Sequence, residues 1–286
     1  MVEYPKRPEI FNQRLEAARA LQVAGGSENW NRAVSTCENL LDEFGLDPRV
    51  LNVMGVPLRM LNRQYEAIQA FSLAAAKTDD WEVRLTAISG LIDAWRTAGR
   101  DKTFPVPQYV KETEKTAYLH TSALFFIPIA ESVMTDAMSN LGINSNLAYV
   151  EAYTQFGLLY NDMGMSPEAL DAYTTAEDNA RKLVTTDTDN GRYQNRLARV
   201  LHVKGVTQQT MGMIREARAS QDEALPIFRK QGDMQNLCNV LASEGDLSEI
   251  ESQLDTARTY WEEGLAIART GNRLYIPHFE GRLARL

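Results

Sequence analysis

The stretch YTQFGLLYNDMGMSPEALDAYTTA, Tyr153 to Ala176, decides the fold of this chain. Its apolar residues recur at helical spacing: Tyr153, Phe156, Leu159 or Tyr160 and Met163 mark one face of a first helix. Gly164 breaks that helix. Ser166, Pro167 and Glu168 start another, serine as a cap for free amides and proline in the first turn, where it is tolerated. Leu170, Tyr173 and Ala176 follow on this second helix, so the segment reads as a helix–turn–helix hairpin. A glycine inside a helix costs about 0.8–1.0 kcal/mol relative to alanine, so Gly157 needs a compensating role. Its missing side chain lets the second helix come close, with Ala169 facing it and Tyr173 filling space one turn later.

The stretch resembles the tetratricopeptide repeat, whose pattern runs large-x2-Leu-Gly-x2-Tyr, then Ala-x3-Phe, then Pro. Tyr153, Phe156, Gly157, Tyr160, Ala169, Tyr173 and Ala176 carry it here, and Arg181 stands where the terminal proline would be. The pattern recurs. Gly55, Ala67, Phe71 and Ala74 repeat the spacing, as do Gly205, Ala217 and Ala224, with Gln221 in place of the aromatic. Gly245, Ala257, Trp261 and Gly264 give another copy. A weaker unit covers Leu15–Leu41, with Trp30, Ala33 and Leu40 on its second helix, and Trp81–Gly99 reads as a first helix with Gly90 as contact point. Contact glycines at 157, 205 and 245 are 48 and 40 residues apart, against about 34 in the plain repeat. Longer periods of this kind resemble the scaffold and regulatory-sensor branches of the family. The resemblance implies an all-α fold, an α-solenoid of antiparallel helix pairs wound as a right-handed superhelix.

Three segments are expected. Residues 1–99 and 149–286 form helical repeats, and residues 100–148 form a diverged helical insertion. Within the last, Gly99–Tyr109 reads as an extended connector. Two helices follow at about Val110–His120 and Thr121–Leu141. The second carries Leu124, Phe125, Ile127, Ile129, Val133, Met134, Met138 and Leu141, and Pro128 should kink or interrupt it. This segment is either a diverged repeat packed into the core or an insertion that fills or gates the groove.

At 286 residues, with 44% hydrophobic and 24% charged side chains, the chain has the composition of an ordinary soluble protein. Residues 101–190 carry 5 basic and 13 acidic side chains, and so hold the whole imbalance behind a net charge of −8. An acidic middle argues against direct nucleic-acid binding, which needs a basic stripe. The opening MVEYPKRPEIFNQ lacks the pattern of a secretory signal. ALFFIPIA, Ala123–Ala130, is far shorter than the roughly 20 residues that span a bilayer. A cytoplasmic protein without membrane contact is expected. Cys37 and Cys238 lie in helical patterns far apart, which suits two buried thiols rather than a disulfide or a zinc site.

No catalytic constellation is visible. His120, His202 and His278 are scattered, and DTDN (Asp187–Asn190) lacks the glycine and distal glutamate of a calcium loop. No metal, no cofactor and no enzymatic activity are expected.

In the resembled architecture the first helix of each pair lines an inner groove. Alignment on the contact glycines puts Arg49, Asn52, Arg59 and Arg84 there in the first half. Glu151, Thr154, Asn161 and Asp162 follow, then Arg199, His202 and Gln209. Such side chains on rigid helices suit a peptide or helix of a partner protein. The lysine and asparagine clamp of chaperone-tail receptors is absent from any three consecutive units. An interaction scaffold or adaptor is therefore expected, the alternative being a regulatory or sensor module within a larger protein or complex. The C-terminal NRLYIPHFEGRLARL places Ile276, Phe279, Leu283 and Leu286 on one apolar stripe. It either folds back as a short cap, pairs with a second chain to make a homodimer or larger complex, or continues into a longer protein.

Overall fold

A computed structural model describes residues 7–98, 104–105, 111–141, 146–271 and 273–286. Among them are fourteen α-helices and no strand. Their contacts divide the chain into two compact units, Met1–Met163 and Gly164–Leu286. The connector expected at Gly99–Tyr109 lies outside the described residues except for Phe104 and Pro105, and so do the side chains of Met138 and Leu141.

The first unit holds α1 (Glu9–Ala24), α2 (Ser27–Phe44), α3 (Pro48–Met60), α4 (Gln64–Lys77), α5 (Trp81–Ala98), α6 (Lys115–Leu124), α7 (Phe126–Leu141) and α8 (Asn146–Asp162). Successive helices pack as hairpins, and α3 also touches α1 and α5, so that pair stacks on pair. Asp47 caps α3 by accepting from the Arg49 amide, with Pro48 in the first turn, where no amide is needed. Phe71 locks the unit. Its ring lies between Gly55 of α3 and Gly90 of α5, and a methyl on either glycine would come within 2.5 Å of it. Ala67 and Ala74 are wholly buried beside it, so the small residues of the sequence pattern are the points of closest approach.

Beyond α5 the regular pairing changes. α6, α7 and α8 all pack against α5, the first two burying Leu119, Ala123, Ile127, Ala130 and Met134. The segment thus buries an apolar face in the first unit. The helix expected from Thr121 to Leu141 is interrupted at Phe125. Pro128 offers no amide to the Leu124 carbonyl and its ring would crowd it, so Pro128 lies instead in the first turn of a new helix. The combined stretch Lys115–Asp136 is long and apolar enough to cross a membrane by length and composition alone, which the shorter ALFFIPIA does not convey.

The second unit holds α9 (Ser166–Thr186), α10 (Gly191–Thr210), α11 (Ile214–Gln231), α12 (Met234–Ile250), α13 (Leu254–Thr270) and α14 (Ile276–Leu283). Each packs on the next, and α10 also touches α12. Gly245 meets the wholly buried Trp261, and Gly264 meets the wholly buried Phe279 of α14. Asn190 and Asp233 cap α10 and α12. Ion pairs join alternate helices: Arg181–Glu223 links α9 to α11, Arg229–Glu263 links α11 to α13, and Arg282–Asp246 ties α14 to α12.

The turns repeat as closely as the contacts. Seven residues after the contact glycines at 55, 157, 205 and 245 come Asn62, Gly164, Gly212 and Ser252, each with φ between 58° and 76°. In three of these turns the following amide reaches back five residues: Arg63 to Leu58, Met213 to Gln208 and Gln253 to Ser248, at 2.8–2.9 Å. Left-handed residues closing a helix in this way satisfy its last carbonyls.

Candidate partner-binding surface

On the first unit the expected side chains lie on neighbouring helices, each held by a partner. The Asn52 side-chain amide donates to the Val83 carbonyl at 2.8 Å, bridging α3 to α5. Arg49 forks onto Asp47 at 2.8 and 3.0 Å. Burial opposes charge on Asp47, but the hydrogen bonds and charge of Arg49, with the charge of Arg7, hold its carboxyl below the usual range. Arg59 reaches the buried Asp93 at 2.9 Å, and Arg96 reaches the same carboxylate at 2.6 Å and Asp162 at 2.8 Å. Arg84 donates to the Thr78 carbonyl and approaches Asp79 at 3.6 Å. Its side chain is 36% exposed, more than that of Arg49, Arg59 or Arg96. On α8, Glu151 and Asn161 are half-buried, while Thr154 is buried with its hydroxyl bonded to the Val150 carbonyl.

On the second unit Arg199, His202 and Gln209 share α10 and are half-buried. Arg199 forms no ion pair among the described residues; against burial, the Asp233 carboxyl is held below its usual range by hydrogen bonds from Asn195 and Asn236, with the charge of Arg199 a further contribution. His202 Nδ1 lies 3.0 Å from Gln221 Oε1, and Gln221 Nε2 donates to the His202 carbonyl at 3.1 Å. Burial and the charge of Arg199 push the imidazole below its ordinary 6.5, against the Gln221 hydrogen bond. Gln221 thus stands where the other units put an aromatic, and its buried amide is satisfied across the helix pair.

Sequence reading missed a second polar knot. Glu244, one residue before the contact Gly245, is wholly buried and receives Arg218 Nη1. Arg218 Nη2 donates to Glu251 at 2.6 Å and to the Ser248 hydroxyl at 3.2 Å. Burial raises the Glu244 carboxyl to about 7, despite the Arg218 charge. A charged residue beside a contact glycine was its only sequence signal. Also missed was an open depression of about 510 Å³ between α9, α10 and α11, lined by Val184, Leu197, Pro226 and Ile227 with Arg181 and Lys230 at its edge. Among the described residues no group of three or more His, Cys, Asp or Glu could hold a metal ion.

Solved structures share this fold. A thermophilic TPR protein of Thermus thermophilus superposes with a TM-score of 0.55 at 18% identity, over 81% of this chain and 98% of that one. BtubC of P. vanneervenii gives 0.55 at 14% identity, over 92% of each chain. A signal transduction ATPase with numerous domains and a tetratricopeptide repeat sensor, from Pyrococcus horikoshii, gives 0.57 at 16% identity, over 97% of this chain and 39% of that one. The fold is of the tetratricopeptide-repeat type. No family model and no curated protein matches the sequence. In tetratricopeptide terms, Gly55 with Phe71 and Gly245 with Trp261 are the glycine–aromatic contacts between first and second helices. Their spacing in the sequence identified them. The C-terminal stripe splits: Phe279 is wholly buried, Ile276 and Leu283 are half-buried against the same cluster, and Leu286 is exposed.

Proposed function

We propose that this chain is a non-enzymatic interaction scaffold or adaptor, holding a peptide or helix of a partner protein along the first helices of its pairs. The carrying observation is the row of guanidinium groups on α3 and α5, graded from Arg96 at 11% exposure to Arg84 at 36%. Held by neighbouring oxygens, such groups are pre-oriented, so an incoming carboxylate or carbonyl gains a charge-assisted bond at small entropic cost. Arg199 offers a like group on the second unit.

Capture from a lysate of the source organism, read by mass spectrometry, tests this with Arg84→Glu and Arg199→Glu. Partners lost in either variant, with an unchanged helical spectrum, support the reading; a partner list identical to that of the native chain overturns it. Arg59 is unsuitable, because a carboxylate there would face the buried Asp93.

A second reading is a regulatory or sensor module of a larger assembly. It draws on the tetratricopeptide sensor of the Pyrococcus ATPase, of which this fold matches a part. Scattering profiles that change with a candidate ligand would favour it.

A further inference from the structure

We infer that the outward face of α6 and α7 docks a basic amphipathic helix of a partner protein. The inward face of these helices already buries Leu119, Ala123, Ile127 and Met134 in the first unit. Phe125 and Ile129 nonetheless point out, 72% and 49% exposed, with Pro128 exposed beside them. The helix break follows from Pro128, and it leaves Phe125 in helical backbone but uncovered. Three apolar residues at i, i+3 and i+4 on one outward face have the spacing by which helices anchor to one another. Neither Phe125 nor Ile129 belongs to the buried core, and an outward apolar patch marks an interaction surface.

Charge selects the occupant. By helical spacing, exposed Glu131 lies one turn beyond Pro128 and exposed Asp136 two turns beyond Ile129. Residues 116–180 contain no lysine or arginine at all. The nearest cations on this segment are Lys115, which is buried, and Lys111, which lies 3.9 Å from Glu114. An apolar patch with an acidic rim is complementary to a helix bearing leucines on one face and lysines on the other. An anionic bilayer would be repelled by the same rim, and a third of the apolar stretch is already buried in the unit.

The test is fluorescence anisotropy of a labelled leucine–lysine helix about 18 residues long, five turns, against the full chain. An isosteric leucine–glutamate peptide and vesicles of phosphatidylcholine with phosphatidylglycerol are run alongside. The basic peptide should bind and the acidic one should not. Phe125→Ser with Ile129→Ser should weaken binding by roughly ten- to a hundredfold, as loss of two apolar anchors implies. Glu131→Lys with Asp136→Lys should weaken it several-fold at low salt and little at high salt. All four side chains are exposed, so an unchanged helical spectrum checks folding. Equal binding by native chain and apolar variant would overturn the proposal, since attraction to net charge alone would explain it. So would absence of peptide binding, or Phe125-dependent binding to vesicles in its place.

Discussion

Gly90→Ala isolates the contact on which the first unit turns. The added methyl would lie 2.5 Å from Cζ and Cε1 of Phe71, where carbon pairs prefer about 3.5–4.0 Å. A ring meeting a single neighbour could slide away. Phe71 has little room to do so, because its ring also packs on Gly55, where an added methyl would come equally close, so retreat from α5 presses it toward α3. Overpacking of this kind costs about 1–3 kcal/mol, and a doubly confined ring belongs at the upper end. Alanine recovers about 0.8–1.0 kcal/mol of helix propensity within α5. The net expectation is a loss of about 2 kcal/mol, read as a lower urea midpoint by circular dichroism with unchanged slope. In a Phe71→Leu background the obstructing ring is gone, and Gly90→Ala should become neutral or stabilising. That gives a coupling of roughly 2–3 kcal/mol in the double-mutant cycle. A neutral Gly90→Ala in the native background, or the same penalty in both, would refute the account.

Other expectations follow from the turns, the buried acid and the thiols. Gly212→Ala, at φ 76°, should cost about 1 kcal/mol, while Ser252→Gly, at φ 62°, should gain about 0.5 kcal/mol, both by urea midpoint. Glu244 has its folded pKa raised from 4.5 to about 7. Its contribution is therefore fully present below 4.5 and lost as pH rises through about 7. Glu244→Gln should remove that loss, on the order of 3 kcal/mol between about pH 4.5 and about pH 7.5; parallel pH profiles for variant and native chain would contradict it. His202 works in the opposite sense. Its folded pKa is lowered, so its contribution is present above 6.5 and declines as pH falls below that value. His202→Gln should flatten the acid limb of the stability profile. Both thiols are buried, with Cys37 pushed up to about 12 by burial and then by Glu38, so Ellman's reagent at pH 8 should find no reactive thiol until the chain unfolds.

The parts legible in the sequence are those encoded by residue size at fixed local spacing. Gly55 predicted a close approach sixteen residues before Phe71, and Gly245 did the same for Trp261, because a hairpin of two helices fixes that separation. Turn conformation was half legible. Glycine announced itself at 164 and 212, but at 62 and 252 asparagine and serine adopt the same left-handed backbone, which their identity does not reveal. Charge pairing was illegible for a different reason. Arg59 meets Asp93 thirty-four positions on, and Arg218 meets Glu244 on the next helix and Glu251 at its C-terminal cap, by a register that only packing determines. The same limit applied to Gln221, which looked like a lost aromatic and proved to be half of a hydrogen-bonded pair with His202. Phe125 was read as one member of an apolar stripe. Only the break before Pro128 separates it from the residues that face α5.

The ion pairs between alternate helices of the second unit give it the character of a chain of coupled spins. Each helix pair has its own small stability, and a coupling to the next pair decides how far order spreads. Exposed pairs such as Arg181–Glu223 and Arg229–Glu263 are each worth only about 0.2–1 kcal/mol. Where the intrinsic terms nearly cancel, couplings of that size set the correlation length. At low ionic strength the unit should therefore melt as one block. At about 1 M salt, where screening reaches only some 3 Å, the correlation length shrinks, and the helix pairs should melt separately over a broader range.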